Sequence, residues 1–203
     1  MGIFIDRRDL KMSWYVGLLA GFLALPTIHN LQFYQITFFS GASTIIGLAA
    51  FTVLGYVVAC VLRHRLSWAV QFVKFGIVGG LNMMVDLGIL NTLMYFTHFT
   101  SGIGYVVLKS ISFVFGVTNS YLWNRAWTFQ STEKVTSKEF IKFVVVNLVG
   151  FGINVGSAAF VVNVIGVPVG IRPEVWSNVG ALSSVAISMI WNFIGMKFLV
   201  FKK

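Results

Sequence analysis

Two opposite charges, Asp86 and Lys109, sit in stretches that are otherwise apolar, each flanked at helical spacing by small or amide side chains. Lys109, Ser112, Gly116, Asn119 and Trp123 follow at steps of three and four, which puts them on one face of a helix. Gly79, Asn82 and Asp86 do the same one stretch earlier. Asn147, Gly150, Asn154 and Ser157 make a third stripe, and Ser177, Gly180, Ser184 and Trp191 a fourth. Amides, hydroxyls and an ion pair on converging faces can offer hydrogen bonds to a polar cargo in an apolar medium. They can also tie helices together: small residues let helices approach closely, and interhelical amide bonds contribute about 0.6 kcal/mol each. A charge at the centre of a bilayer costs roughly 2.5–3.5 kcal/mol on insertion scales. Asp86 and Lys109 are therefore expected to face the interior and to pair, directly or through water. The pair reads either as a structural lock on one hairpin or as the lining of a polar path.

Other chemistries find little support. Paired carboxylates, a nucleophile–base set and a glycine-rich phosphate loop are all missing, so neither enzymatic activity nor a cofactor is expected. His29, His64 and His98 are far apart, and Cys60 is the only cysteine. Neither a metal site nor an intramolecular disulfide is expected.

The elements that must position the polar stripes are long and apolar. Hydrophobic residues make up 57% of the 203 and charged residues only 10%, where a soluble domain carries about 25% charged. Roughly 20 apolar residues in a helix cross a hydrocarbon core. Six spans are expected, near Ser13–Phe33, Ile36–Leu62, Val70–Phe96, Tyr105–Trp127, Phe140–Gly166 and Val175–Phe201. Pro26, His29, Asn30 and Gln32 weaken the first, which is expected to be kinked or partial. No cleavable signal peptide is evident. The fold class is all-α, a polytopic membrane helical bundle.

The cations set an orientation. Arg7, Arg8, Lys11, then Arg63, Arg65, Lys74, then Arg125, Lys134, Lys138, Lys142, and finally Lys197, Lys202, Lys203 all fall on one side of the spans. Arg172 stands alone on the other, and Lys109 lies within a span. Positive charge collects on the cytoplasmic side, so both termini are expected in the cytoplasm. Topology accounts for the net charge of +9 without nucleic acid as a partner. Some of these cations can also hold anionic membrane lipid.

Shifting the sequence by 68 residues aligns two segments. Phe72-Val73-Lys74-Phe75 meets Phe140-Ile141-Lys142-Phe143, and Ser120-Tyr121-Leu122-Trp123-Asn124 meets Ser188-Met189-Ile190-Trp191-Asn192. Each unit, about 70–130 and 138–203, reads as a helical hairpin that begins and ends on the cytoplasmic side. Equal orientation implies parallel repeats about an axis along the membrane normal. Asp86 then corresponds to Asn154, and Lys109 to Ser177, so the charged pair occurs in one copy only. Residues 1–66 show no such match and read as an added pair of spans before a core at 67–203.

These motifs carry a family resemblance. Phe72-Val73-Lys74-Phe75, Gly79-Gly80-Leu81-Asn82 with Asp86, Asn124-Arg125-Ala126-Trp127-Thr128-Phe129, Phe140-Ile141-Lys142-Phe143 and Trp191-Asn192-Phe193 with Lys197-Phe198-Leu199-Val200-Phe201 resemble the GtrA-like family of small membrane proteins. The resemblance covers about two thirds of the chain, from Phe72 to Lys203. It implies a flippase that moves a polyprenyl-phosphate-linked sugar across the cytoplasmic (inner) membrane for cell-surface polysaccharide glycosylation, beside a membrane glycosyltransferase. The family core has four spans, so the two N-terminal spans depart from it. Such a flippase needs a cytoplasmic rim that holds phosphate, for which Lys74, Arg125, Lys142 and Lys197 are the candidates, with Trp127 stacking on the sugar. It also needs a polar path, for which Asn82, Asp86, Lys109, Asn119, Asn124, Asn147, Asn154 and Asn192 are the candidates. A homodimer is one way for so small a bundle to enclose a headgroup. A non-transporting scaffold that recruits the glycosyltransferase is the alternative. A proton-coupled cation exporter is disfavoured by Lys109, which would repel its cargo.

Overall fold

The computed structural model describes residues 5–31, 35–171 and 173–201. Gln32, the lone outer cation Arg172, and Lys202 and Lys203 of the last basic cluster lie outside the described residues. Six membrane-length helices are present and, among the described residues, no strand. They are α1 (Arg7–Leu31), α2 (Phe38–Leu62), α3 (Ala69–Thr97), α4 (Gly102–Trp123), α5 (Ser137–Ala159) and α6 (Pro173–Gly195). The last three continue into π-helical turns at Asn124–Thr128, Phe160–Ile165 and Met196–Val200. A multi-pass membrane protein follows from the length and composition of these helices.

Local chemistry sets the ends. The Asp6 side chain accepts from the Arg8 amide at 2.7 Å and starts α1. Thr37 and Ser40 form a reciprocal capping box for α2. Thr136 caps α5 through the Glu139 amide at 3.1 Å. His98 closes α3 in the left-handed region, at φ 59°. Pro26 does not end α1, which runs on to Leu31. Nor does α1 begin at Ser13: it starts at Arg7, so its first turns lie within the basic terminus.

Two compact units result, divided between Gln130 and Ser131. In the first, α1 packs against both α2 and α3. A side chain at Gly17 would stand 2.4 Å from the Ala49 Cα, and one at Gly21 2.5 Å from the Ile45 Cα. At Gly88 of α3 it would stand 2.5 Å from the Leu23 carbonyl oxygen. Backbones this close need glycine, the usual device of membrane helices. Val16, Ala20, Val78, Leu81, Val85 and Trp127 form the core between α1, α3 and the turn after α4. At the far end, Asn30 donates to the Asn91 carbonyl and side-chain oxygens, both at 3.0 Å. α4 rests on α3 and turns Ile103, Val106, Phe113 and Phe115 outward, with Ile103 85% exposed, as lipid contact requires.

The second unit is the hairpin of α5 and α6. Gly195 lies against Val146, and Gly150 against the Asn192 amide. The Trp191 indole donates to the Val146 carbonyl at 3.2 Å, and the Trp176 indole to the Val161 carbonyl at 3.0 Å. Phe143, Val146, Phe193, Met196, Val200 and Phe201 are buried near the hairpin's open end.

Candidate functional site

The polar faces of α3 and α4 meet. Lys109 donates to one oxygen of Asp86, and Ser112, fully buried, donates to the other at 2.6 Å. Ser112 lies three residues from Lys109, so one turn of α4 delivers both donors. The next small position on that face is Gly116. A side chain there would meet Asn82 Oδ1 at 3.3 Å and the Asp86 Cβ at 3.5 Å. Asn82 Oδ1 and Asn119 Nδ2 are buried and have no hydrogen-bond partner among the described residues. A ladder of ion pair, hydroxyl and two incompletely bonded amides thus runs along the α3–α4 seam. The Asp86 side chain keeps 24% of its surface exposed and that of Lys109 39%, so the pair stays reachable from outside the seam.

The α5–α6 seam is lined by neutral polar groups. Asn154 donates to Ser184 Oγ at 3.1 Å and to Ser188 Oγ at 3.2 Å. By the 68-residue offset, Ser184 and Ser188 match Gly116 and Ser120, whereas Asp86 is bonded one turn away at Ser112. Asn192 Oδ1 is buried against Gly150, without a hydrogen-bond partner among the described residues. Asn147 donates to its own helix at the Phe143 carbonyl, 2.8 Å away, and spans no seam.

The expected rim residues divide into two groups. Lys142 is exposed at the edge of an open groove of about 350 Å³ lined by Ile141, Val145, Val146, Phe198 and Leu199. Lys197 is half-buried, its ammonium 5.7 Å and 5.6 Å from the ring centres of Phe193 and Phe198. Arg125 is half-buried on the π turn Asn124–Thr128. Lys74 and Trp127, by contrast, are each only 3% exposed and face inward. The Lys74 ammonium reaches both oxygens of Asp9 at 2.9 Å, and the Trp127 indole donates to one of them, also at 2.9 Å. The ammonium lies 5.3 Å from the centre of the Trp127 ring. Asn124 is buried in the same turn. Its amide donates to the Ser120 carbonyl at 2.9 Å, and its side-chain oxygen has no partner among the described residues.

Asp9 was the residue that spacing could not reveal. It stands among Arg7, Arg8 and Lys11 and reads as part of a solvated basic terminus. Its partners lie 65 and 118 residues away. A second acid four residues before Ser13, one turn after Asp6 and at the start of an apolar stretch, was the available hint.

Comparison with known proteins gives three findings. The family model for the GtrA/DPMS transmembrane domain matches residues 74–201, from the second turn of α3 to just past the turn after α6. A protein of Bacillus subtilis (strain 168) named uncharacterized membrane protein YngA is 32% identical over 80 residues, 39% of this chain and 51% of that one. The chain thus spans about half the length of that relative. No solved structure matches.

Proposed function

Because the chain belongs to the GtrA/DPMS transmembrane-domain family, we propose that it moves a polyprenyl-phosphate-linked sugar across the cytoplasmic membrane for cell-surface polysaccharide synthesis. The apolar tail stays in the bilayer while phosphate and sugar cross it. At the cytoplasmic rim Arg125 is the phosphate-receiving cation of the first unit, and Lys142 and Lys197 are those of the second. The planar fork of Arg125 suits phosphate best. The hydroxyls of the sugar then exchange water for the amides of the seams, Asn82 and Asn119 on one hairpin, Asn154 and Asn192 on the other. Lys109 offsets phosphate charge in passage, and Ser112 keeps the Asp86 carboxylate bonded meanwhile.

The observation that carries this reading is that buried atoms of Asn82, Asn119 and Asn192, inside apolar helices, have no hydrogen-bond partner among the described residues. Buried polar atoms without partners are costly. Packing alone explains glycine and serine at those seams, but not amides with open bonding capacity. A membrane glycosyltransferase that loads the lipid is the implied partner. Each hairpin, read as one copy of the repeat, offers the cargo a polar face of its own.

The test is cellular. Asp86→Ala and Arg125→Ala variants at normal abundance are expected to lower surface glycosylation and to leave lipid-linked sugar on the inner leaflet. Full glycosylation in both, and in a chain with Asn82 and Asn154 made leucine, contradicts transport and leaves a scaffold for the glycosyltransferase.

A further inference from the structure

Asp9 lies outside the residues matched by the family model, yet its carboxylate is bonded to two residues inside them. It is 7% exposed, and Lys74 and Trp127 are each 3% exposed. Removing an ion pair from water costs several kcal/mol per ion, and apolar side chains of similar volume stabilise as well or better. Stability alone is therefore a weak reason for this cluster. Its geometry offers another. Trp127 sits in the π turn Asn124–Thr128, closed by the Phe129 amide donating to the Asn124 carbonyl at 2.8 Å. Single π turns are uncommon and concentrate at functional sites. This one carries Arg125, together with Asn124 Oδ1 and Thr128 Oγ1, both buried and without hydrogen-bond partners among the described residues. The carboxylate that grips its indole comes from a helix packed closely on two neighbours. α1 is fixed by the close contacts of Gly17 and Gly21 with α2, and of its Leu23 with Gly88.

We infer that Asp9 is a positioning residue for the turn that bears Arg125. Through the Trp127 indole it holds residues 124–128 in their wide form and so sets where the guanidinium stands. Lys74 neutralises it. The N-terminal helix pair is then a working part of the transport machinery, supplying from outside the family domain a group that the domain's own motif turn requires. The headgroup part of this inference rests on the function proposed above. The positioning of the turn does not.

The experiment is hydrogen exchange of the full chain in lipid nanodiscs, followed over the peptide 124–130, beside binding of undecaprenyl phosphate. Trp127→Phe removes the indole N–H and leaves the Asp9–Lys74 pair. Asp9→Asn tests the carboxylate, and Asp9→Glu the rescue. Both deletions are expected to speed exchange in 124–130 by about tenfold, the order set by one hydrogen bond to a charged group. α2 and the Asn30–Asn91 end keep wild-type protection, Asp9→Glu recovers most of the loss, and lipid affinity of Asp9→Asn falls in step. Unchanged exchange at 124–130, or protection lost evenly through α1, α2 and α3, overturns the inference and leaves a brace. Faster exchange in a protein whose wild type binds no undecaprenyl phosphate supports the positioning and overturns the headgroup role.

Discussion

Asp86 keeps a charge inside an apolar span by dividing its oxygens between Lys109 and Ser112. Removing one partner should therefore cost more than removing both. Lys109→Met is expected to lower thermal stability in detergent more than the Lys109→Met, Asp86→Asn double variant, because the single change strands a carboxylate. Equal losses would mean that the pair contributes nothing by its charge. Asn154 makes the opposite case. Ser184 and Ser188 already donate to the Ala181 and Val185 carbonyls, at 2.8 Å and 3.1 Å, so losing the amide strands no hydroxyl proton. Asn154→Leu is expected to shift stability by less than about 1 kcal/mol, read from the unfolding midpoint, while impairing transport. The Asp86–Lys109 pairing was legible because both charges interrupt apolar runs and share helical spacing with small residues. The burial of Lys74 was not legible. Its place near the end of a span expected on the cytoplasmic side suggested an open rim, and the carboxylate that draws it inward is remote in sequence.

Among the elements, α1 departs most from its sequence. Pro26 and the polar residues after it suggested a kinked or partial span; the helix continues to Leu31, because a proline removes one amide donor and need not end a helix that neighbours support. Here those neighbours meet α1 at glycine. Gly88→Leu is expected to push α1 from α3 at the Leu23 carbonyl and to destabilise by about 1–3 kcal/mol, the range of overpacking. Gly79→Leu, at a site with open space beside it, should not. Comparing the two unfolding midpoints in one detergent checks this. The π turns had no sequence signal, since a single inserted residue per turn leaves helical periodicity almost intact over the few residues involved. The turn after α6 nonetheless closes like the one after α4, with the Phe201 amide on the Met196 carbonyl at 2.8 Å.

For the whole molecule, six apolar stretches made the membrane class legible, and the motifs from Phe72 onward made the family legible. The packing divides elsewhere. α1 and α2 belong with α3 and α4 in one compact unit, although the family match begins only at Lys74. Chain order cannot reveal that, because membrane helices are joined by short loops whichever neighbours they pack on. The basic loops predict the orientation. With Cys60 replaced by serine, a cysteine at Lys134 should react with an impermeant thiol reagent only from the cytoplasmic side, and one at Ser101 only from outside. The reverse pattern would invert the topology.

Purified chain in liposomes, given a labelled polyprenyl-phosphate sugar on one leaflet, tests the central claim most directly. Appearance of the label on the opposite leaflet, slowed in a folded Asn82→Leu, Asn154→Leu variant, is the predicted result. No transfer above protein-free liposomes, or equal transfer by the variant, would contradict it.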